Sequence, residues 1–153
     1  MSLTTDIIFA RALQSNKELM SQLPAGNVYN TSVELPDEDM DNIDLPYIIV
    51  HYDGMNNTST SKDSEFEAYS DNVEVGITIV ARNREKLGEL AESVRSTIVG
   101  YFNDHCDDDS DDDYRLIPED ITLSATNVSY DQDKPCYWQD LNYLCEILKT
   151  SEL

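Results

Sequence analysis

Residues 73–102 read VEVGITIVARNREKLGELAESVRSTIVGYF, and two different periodicities meet inside them. Val73, Val75, Ile77 and Ile79 alternate with Glu74, Gly76, Thr78 and Val80, the two-residue repeat of a half-buried strand. The repeat then changes. Leu87, Leu90, Ala91, Val94, Ile98 and Phe102 fall on one stripe of a helix predicted over 84–102, with Asn83 placed to cap its first turn. Burying the large apolar side chains of that stripe is worth about 1.5–3 kcal/mol each before entropy is counted. Packing, more than propensity, should hold this helix.

Working outward toward the N-terminus, Tyr47-Ile48-Ile49-Val50-His51-Tyr52 is a strand opened by Pro46, and its near-continuous apolar character predicts burial on both faces. The segment 53–66 is rich in Gly, Asn, Ser and Thr without periodicity, which predicts a loop. A first helix is predicted over 5–14, with Leu3, Ile7, Ala10 and Leu13 on one face. Ser15-Asn16-Lys17-Glu18 reads as a capping box, Ser15 being the cap, for a short helix through Leu19, Met20 and Leu23. Val28-Tyr29 and Ser32-Val33 suggest a short strand. Toward the C-terminus, Ile121, Leu123 and Ala125 alternate while Val128 and Tyr130 fall out of phase, so a bulge is expected near Thr126-Asn127. Asp131–Pro135 is a turn. In the closing strand, 136–148, Tyr137, Leu141, Tyr143, Cys145 and Ile147 share one side. The whole predicts an α+β fold: a mainly antiparallel mixed sheet of four to five strands with two main helices packed on one face. A single domain spans 1–153, with flexible acidic loops near 53–70 and 104–120.

Charge bounds the function. The chain of 153 residues has 31 Asp and Glu against 10 Lys and Arg, a net charge of −21. Such a surface repels phosphate and anionic headgroups, which argues against a direct grip on nucleic acid or membrane. No apolar run approaches the roughly 18 residues of a membrane span, and the N-terminal residues do not read as a signal peptide. Three cysteines, Cys106, Cys136 and Cys145, are expected as reduced thiols.

Nine acids crowd into Asp104–Asp120. The simplest reading is a solvated loop. Counted from Asp107, the sixth position of an EF-hand would be Asp112 where Gly is needed, and the twelfth Pro118 where Glu is needed, so that motif fails. Adventitious cation binding by Asp107, Asp109, Asp111 and Asp113 is a second reading, and a docking surface for a basic partner, through Asp108, Asp109, Asp111 and Asp112, a third. His51 reads as packed in its strand. His105 adjoins Cys106, and sequence neighbours rarely form a nucleophile–base pair. No phosphate-binding glycine loop and no zinc spacing occurs. No catalytic residues and no cofactor are therefore expected. Arg82, Arg84 and Lys86 gather at the start of the long helix, where its dipole disfavours cations. Either they are a solvated junction, or they meet an acidic patch on a neighbouring copy.

The order of these elements resembles the tail-completion or tail-terminator proteins of long-tailed bacteriophages and prophages. The likeness runs through the N-terminal helices, Gly26-Asn27-Val28-Tyr29, the strand opening Leu45-Pro46-Tyr47-Ile48-Ile49-Val50, the strand–helix unit from Val73 to Phe102, and Trp138 with Leu141 in the last strand. The 53–66 loop and the Asp107–Asp113 run depart from the family's pattern. The resemblance implies a non-enzymatic virion protein of the tail, assembled in the bacterial cytoplasm. It would cap the tail tube as a ring of copies of itself, hexameric by family analogy, and contact tail-tube and neck proteins. Charge alone equally fits an acidic decoy or immunity-type inhibitor binding a basic partner face, and a metal-dependent enzyme using the Asp cluster is a weaker alternative.

Overall fold

The computed structural model describes residues 5–24, 28–30, 44–57, 70–105, 114–116 and 121–149. Helix α1 spans Thr5–Gln14 and α2 spans Lys17–Ser21. Strands β1, Val28–Asn30, β2, Tyr47–Asn56, and β3, Ser70–Ala81, precede the long helix α3, Arg84–His105. Strands β4, Tyr114–Leu116, β5, Thr122–Ala125, β6, Ser129–Asp131, and β7, Cys136–Lys149, complete the described chain.

These strands form one sheet in the order β1-β2-β3-β7-β4, with β5 and β6 also paired to β7. The β1–β2 pair is parallel; β2–β3, β3–β7 and the pairs of β4, β5 and β6 with β7 are antiparallel. One edge of β7 lies along β3 from end to end, while β6, β5 and β4 share the other edge in succession. The sheet is thus five positions wide, an α+β fold of the predicted kind. Both main helices pack on β3 from the same side. Alternation places Val73, Val75, Ile77 and Ile79 on that side, all with no exposed surface, opposite the α3 stripe of Leu87, Leu90, Val94, Ile98 and Phe102. Asn83 caps α3 as expected, its Oδ1 accepting the Lys86 N–H at 2.8 Å.

The bulge also stands where the sequence puts it. Ala125 faces Leu141 and Ser129 faces Trp138, so residues 126–128 oppose only 139 and 140. Thr126 clamps the irregularity: its N–H donates to Asp140 O, and its Oγ1 accepts the Asp140 N–H, both at 3.0 Å.

Several expectations need correction. The cap of α2 is Asn16, with extended backbone and Oδ1 accepting the Leu19 N–H at 3.1 Å. The Ser15 hydroxyl is already committed to Ala12 O at 2.7 Å, closing α1. Asn16 also donates to Thr97 Oγ1 at 2.8 Å, tying α2 to α3. On α1 the fully buried positions are Thr5, Asp6, Phe9, Ala10, Ala12 and Leu13, with Ile7 only half-buried. Strand β2 is buried on one face through Ile48 and Val50, not on both, and it runs four residues into the supposed loop. The 104–120 segment contributes the end of α3 and the edge strand β4. Residues 58–66, Ser32-Val33, Cys106 and the Asp107–Asp113 run lie outside the described residues.

Candidate functional site

The sheet face turned away from the helices carries a row of polar side chains across three strands. Pairing aligns Ile49 of β2 with Thr78 of β3 and Thr78 with Asp140 of β7; one step along, His51 stands opposite Gly76. His51 Nδ1 lies 2.6 Å from Asp53 Oδ1, its Nε2 lies 3.2 Å from Thr78 Oγ1, and Thr78 Oγ1 donates to Asp140 Oδ1 at 2.5 Å. Gly76 makes this possible. A Cβ there would lie 2.1 Å from His51 Cε1 and 2.7 Å from Asp53 Oδ2. Asp53 is the extra residue of a bulge whose next member, Gly54, has φ +143°, a backbone state closed to most L side chains.

Hydrogen counting orders the network. The single Thr78 hydroxyl proton goes to Asp140 and is not shared with the ring, and Asp53, as a carboxylate, can only accept from Nδ1. In sequence of groups this imitates the Asp–His–hydroxyl arrangement of nucleophilic enzymes. In direction it does not: the hydroxyl proton is given to Asp140 and not to the ring. What the geometry performs is cross-bracing of β2, β3 and β7. His51 was expected to be packed; it stands instead on the open face with its side chain 26% exposed.

The other predicted residues separate. Arg82 and Arg84 are exposed where β3 hands over to α3. Lys86 is turned inward, its Nζ donating to Gln22 Oε1 at 3.1 Å. Asp108, Asp109, Asp111 and Asp112, together with Asp107 and Asp113, lie outside the described residues, and His105 is described only in its backbone. Among the described residues no group of three metal-binding side chains occurs. Cys136 and Cys145 are free and buried, and burial pushes the Cys145 thiol up to about 12, far from reactive.

Two features had no signal in the sequence reading. One is a groove of about 150 Å³ between the C-terminal half of α3 and strands β5 and β7, lined in part by Arg95, Val99 and Tyr143. The Tyr143 hydroxyl is buried without a hydrogen-bond partner, and desolvation, partly offset by Arg95, raises its pKa to about 12. The other is Asp6, fully buried with both carboxylate oxygens unpartnered. Such a charge is costly without a counter-ion or donors; burial first, and then Asp6 and the buried Asp71, disfavour ionisation of Tyr52. Asp6→Asn, which keeps the shape and removes the charge, is expected to stabilise the fold by about 1–2 kcal/mol. Thermal unfolding at neutral pH checks this; a fall in Tm would mean that the carboxylate has a partner.

No protein-family model matches the chain, and no curated protein matches its sequence. Among solved structures, a chain from a structure described as "Virion of native gene transfer agent (GTA) particle" aligns with a TM-score of 0.55 and 13% sequence identity. The alignment covers 92% of this chain and 91% of that one. At such low identity the likeness is one of fold, and it takes in nearly the whole of both chains.

Proposed function

We propose that this chain is a structural protein of a phage-like virion, and more narrowly a tail terminator that caps the tail tube as a ring and presents a surface to the neck. The observation that carries the reading is the whole-chain fold likeness to a component of a virion particle. The order of landmark segments, from the Leu45-Pro46-Tyr47 strand opening to the Trp138-bearing last strand, supports the narrower role.

Topology supports a head-to-tail ring. Arg82 and Arg84 sit at the N-terminal end of α3, a helix of 22 residues. At 1.5 Å per residue its two ends are about 33 Å apart. The acidic run leaves α3 after His105 and rejoins the sheet at Tyr114, which pairs with Lys149 at the far end of β7. Meanwhile Ala81, just before the arginines, pairs with Tyr137 near the start of β7. The positive spot and the anchors of the negative run therefore stand at opposite ends, an arrangement that lets one copy's head meet the next copy's tail. A strongly acidic ring also suits a lumen through which DNA passes, since like charge prevents sticking.

Light scattering over a concentration series tests this. The native chain is expected to gain mass toward a closed ring, and Arg82→Glu/Arg84→Glu to remain monomeric with an unchanged unfolding temperature. A native chain that stays monomeric at every concentration would favour the decoy-inhibitor reading, and reversed arginines that leave the oligomer intact would remove them from the interface.

A further inference from the structure

Three contacts run through the brace on the open face of the sheet: Asp53 Oδ1 to His51 Nδ1 at 2.6 Å, His51 Nε2 to Thr78 Oγ1 at 3.2 Å, and Thr78 Oγ1 to Asp140 Oδ1 at 2.5 Å. Each contact needs a hydrogen of its own to be a bond. Carboxylates bring none, the threonine hydroxyl brings one, and a neutral imidazole brings one. With Thr78 donating to Asp140 and the ring donating to Asp53, a neutral ring turns its Nε2 lone pair toward an oxygen that has no hydrogen left to give. One further proton, on Nε2, completes all three bonds.

We propose that His51 is held as an imidazolium in the folded protein, so that the brace across β2, β3 and β7 is a pH-sensitive device that tightens on taking up a proton. Imidazole is the strongest base in the set, so the extra proton belongs on the ring and not on a carboxylate. The surrounding charges favour the same state. Asp53 on β2, Asp140 on β7 and Glu74, two residues from Gly76 on β3, are all acidic. Strands β2 and β3 contain no Lys or Arg, and the one cation of β7, Lys149, stands at its far end opposite Tyr114. On the other side, β1 contains no charged residue and pairs with β2 only as far as Val50. The phenol of Tyr47 lies farther along β2, opposite Val80. The side chains of His51 and Asp53 are 26% and 34% exposed, so a solvent proton reaches the ring without rearrangement.

In the unfolded chain an imidazole gives up its proton near about pH 6.5. A fold that keeps this proton binds more of them than the unfolded chain does, so its stability falls as pH rises. The contribution is fully present below about pH 6.5 and is lost above it, as the folded ring in turn releases its proton. The open face then gains one negative charge. None of this depends on the ring assembly proposed above.

Long-range proton–nitrogen NMR of the histidine rings tests the proposal, with His51→Gln showing which of the chain's two ring systems is His51. At about pH 7 an unperturbed imidazole is only about a quarter protonated; His51 is expected to carry hydrogen on both nitrogens. The excess in unfolding temperature of the native chain over His51→Gln is expected to shrink by about 2–4 °C between about pH 5.5 and about pH 8.5. Asp140→Asn should abolish both effects. Its amide donates to Thr78, which frees the threonine hydroxyl to donate to Nε2 and leaves the ring neutral with every bond made. A native ring with a single hydrogen at about pH 7, or a temperature difference that stays constant with pH, would overturn the proposal. So would a ring that stays doubly protonated in Asp140→Asn. The native chain alone decides the protonation state, whatever the stability of either variant.

Discussion

Phe9→Ala is expected to lower stability by about 3–5 kcal/mol, or about 10 °C in Tm for a chain of this size. Phe9 has no exposed surface, and its ring centroid lies 5.0 Å from that of Phe102 on α3 and 5.3 Å from that of Tyr143 on β7. The two rings are inclined at 60° and 50°, tilted contacts of the kind aromatic quadrupoles favour. One side chain of α1 thus closes the junction between the long helix and the last strand. Truncation removes the transfer energy of the ring and leaves a cavity that three rigid elements cannot collapse into. Denaturant unfolding measures the effect, and a loss below about 1 kcal/mol would mean that α1 does not hold this junction. Because Phe102 and Tyr143 also line the groove, the same cavity should loosen its floor.

Gly76→Ala should cost about 2–3 kcal/mol, and nearly all of that cost should vanish when His51 is already alanine. The added Cβ would overlap His51 Cε1, so the ring must swing off β3. Swinging away breaks its contacts with Asp53 and Thr78, hydrogen bonds to charged or polar partners worth about 1–3 kcal/mol each. Without the ring, the clash left for alanine at 76 is with Asp53 Oδ2 at 2.7 Å, the far end of a carboxylate that has lost its imidazole partner and can turn aside. Alanine then gains the roughly 0.5–1 kcal/mol that glycine forfeits inside a strand. The double-mutant cycle reads the difference as a coupling energy. Equal cost in both backgrounds would place the requirement for glycine in the backbone of β3 and not in the histidine brace.

How far the sequence reaches can be judged on particular elements. The strand over 73–80, the α3 stripe and the phase break at Thr126-Asn127 were all legible, because each is a local periodicity enforced by a single buried face. The cap of α2 was misplaced by one residue, since a serine hydroxyl can serve the carbonyl behind it as well as the amides ahead. Strand β4 was hidden by its acidic neighbours and owes its pairing to Lys149, Leu148 and Ile147, distant in sequence. The brace was unreadable for a related reason. His51, Thr78 and Asp140 meet only through the registers of β2 with β3 and of β3 with β7, and no spacing within one segment encodes both. The groove was missed because Val99 lies off the buried stripe, while Tyr143 reads as one more inward residue of its strand.

The proposed capping of a tail tube can be watched directly. Tube protein polymerising in vitro, supplied with a small molar fraction of this chain and viewed by electron microscopy, is predicted to give short tubes of stable length, each with an added ring at one end. Tubes that elongate at the same rate to the same lengths with and without the chain would contradict it.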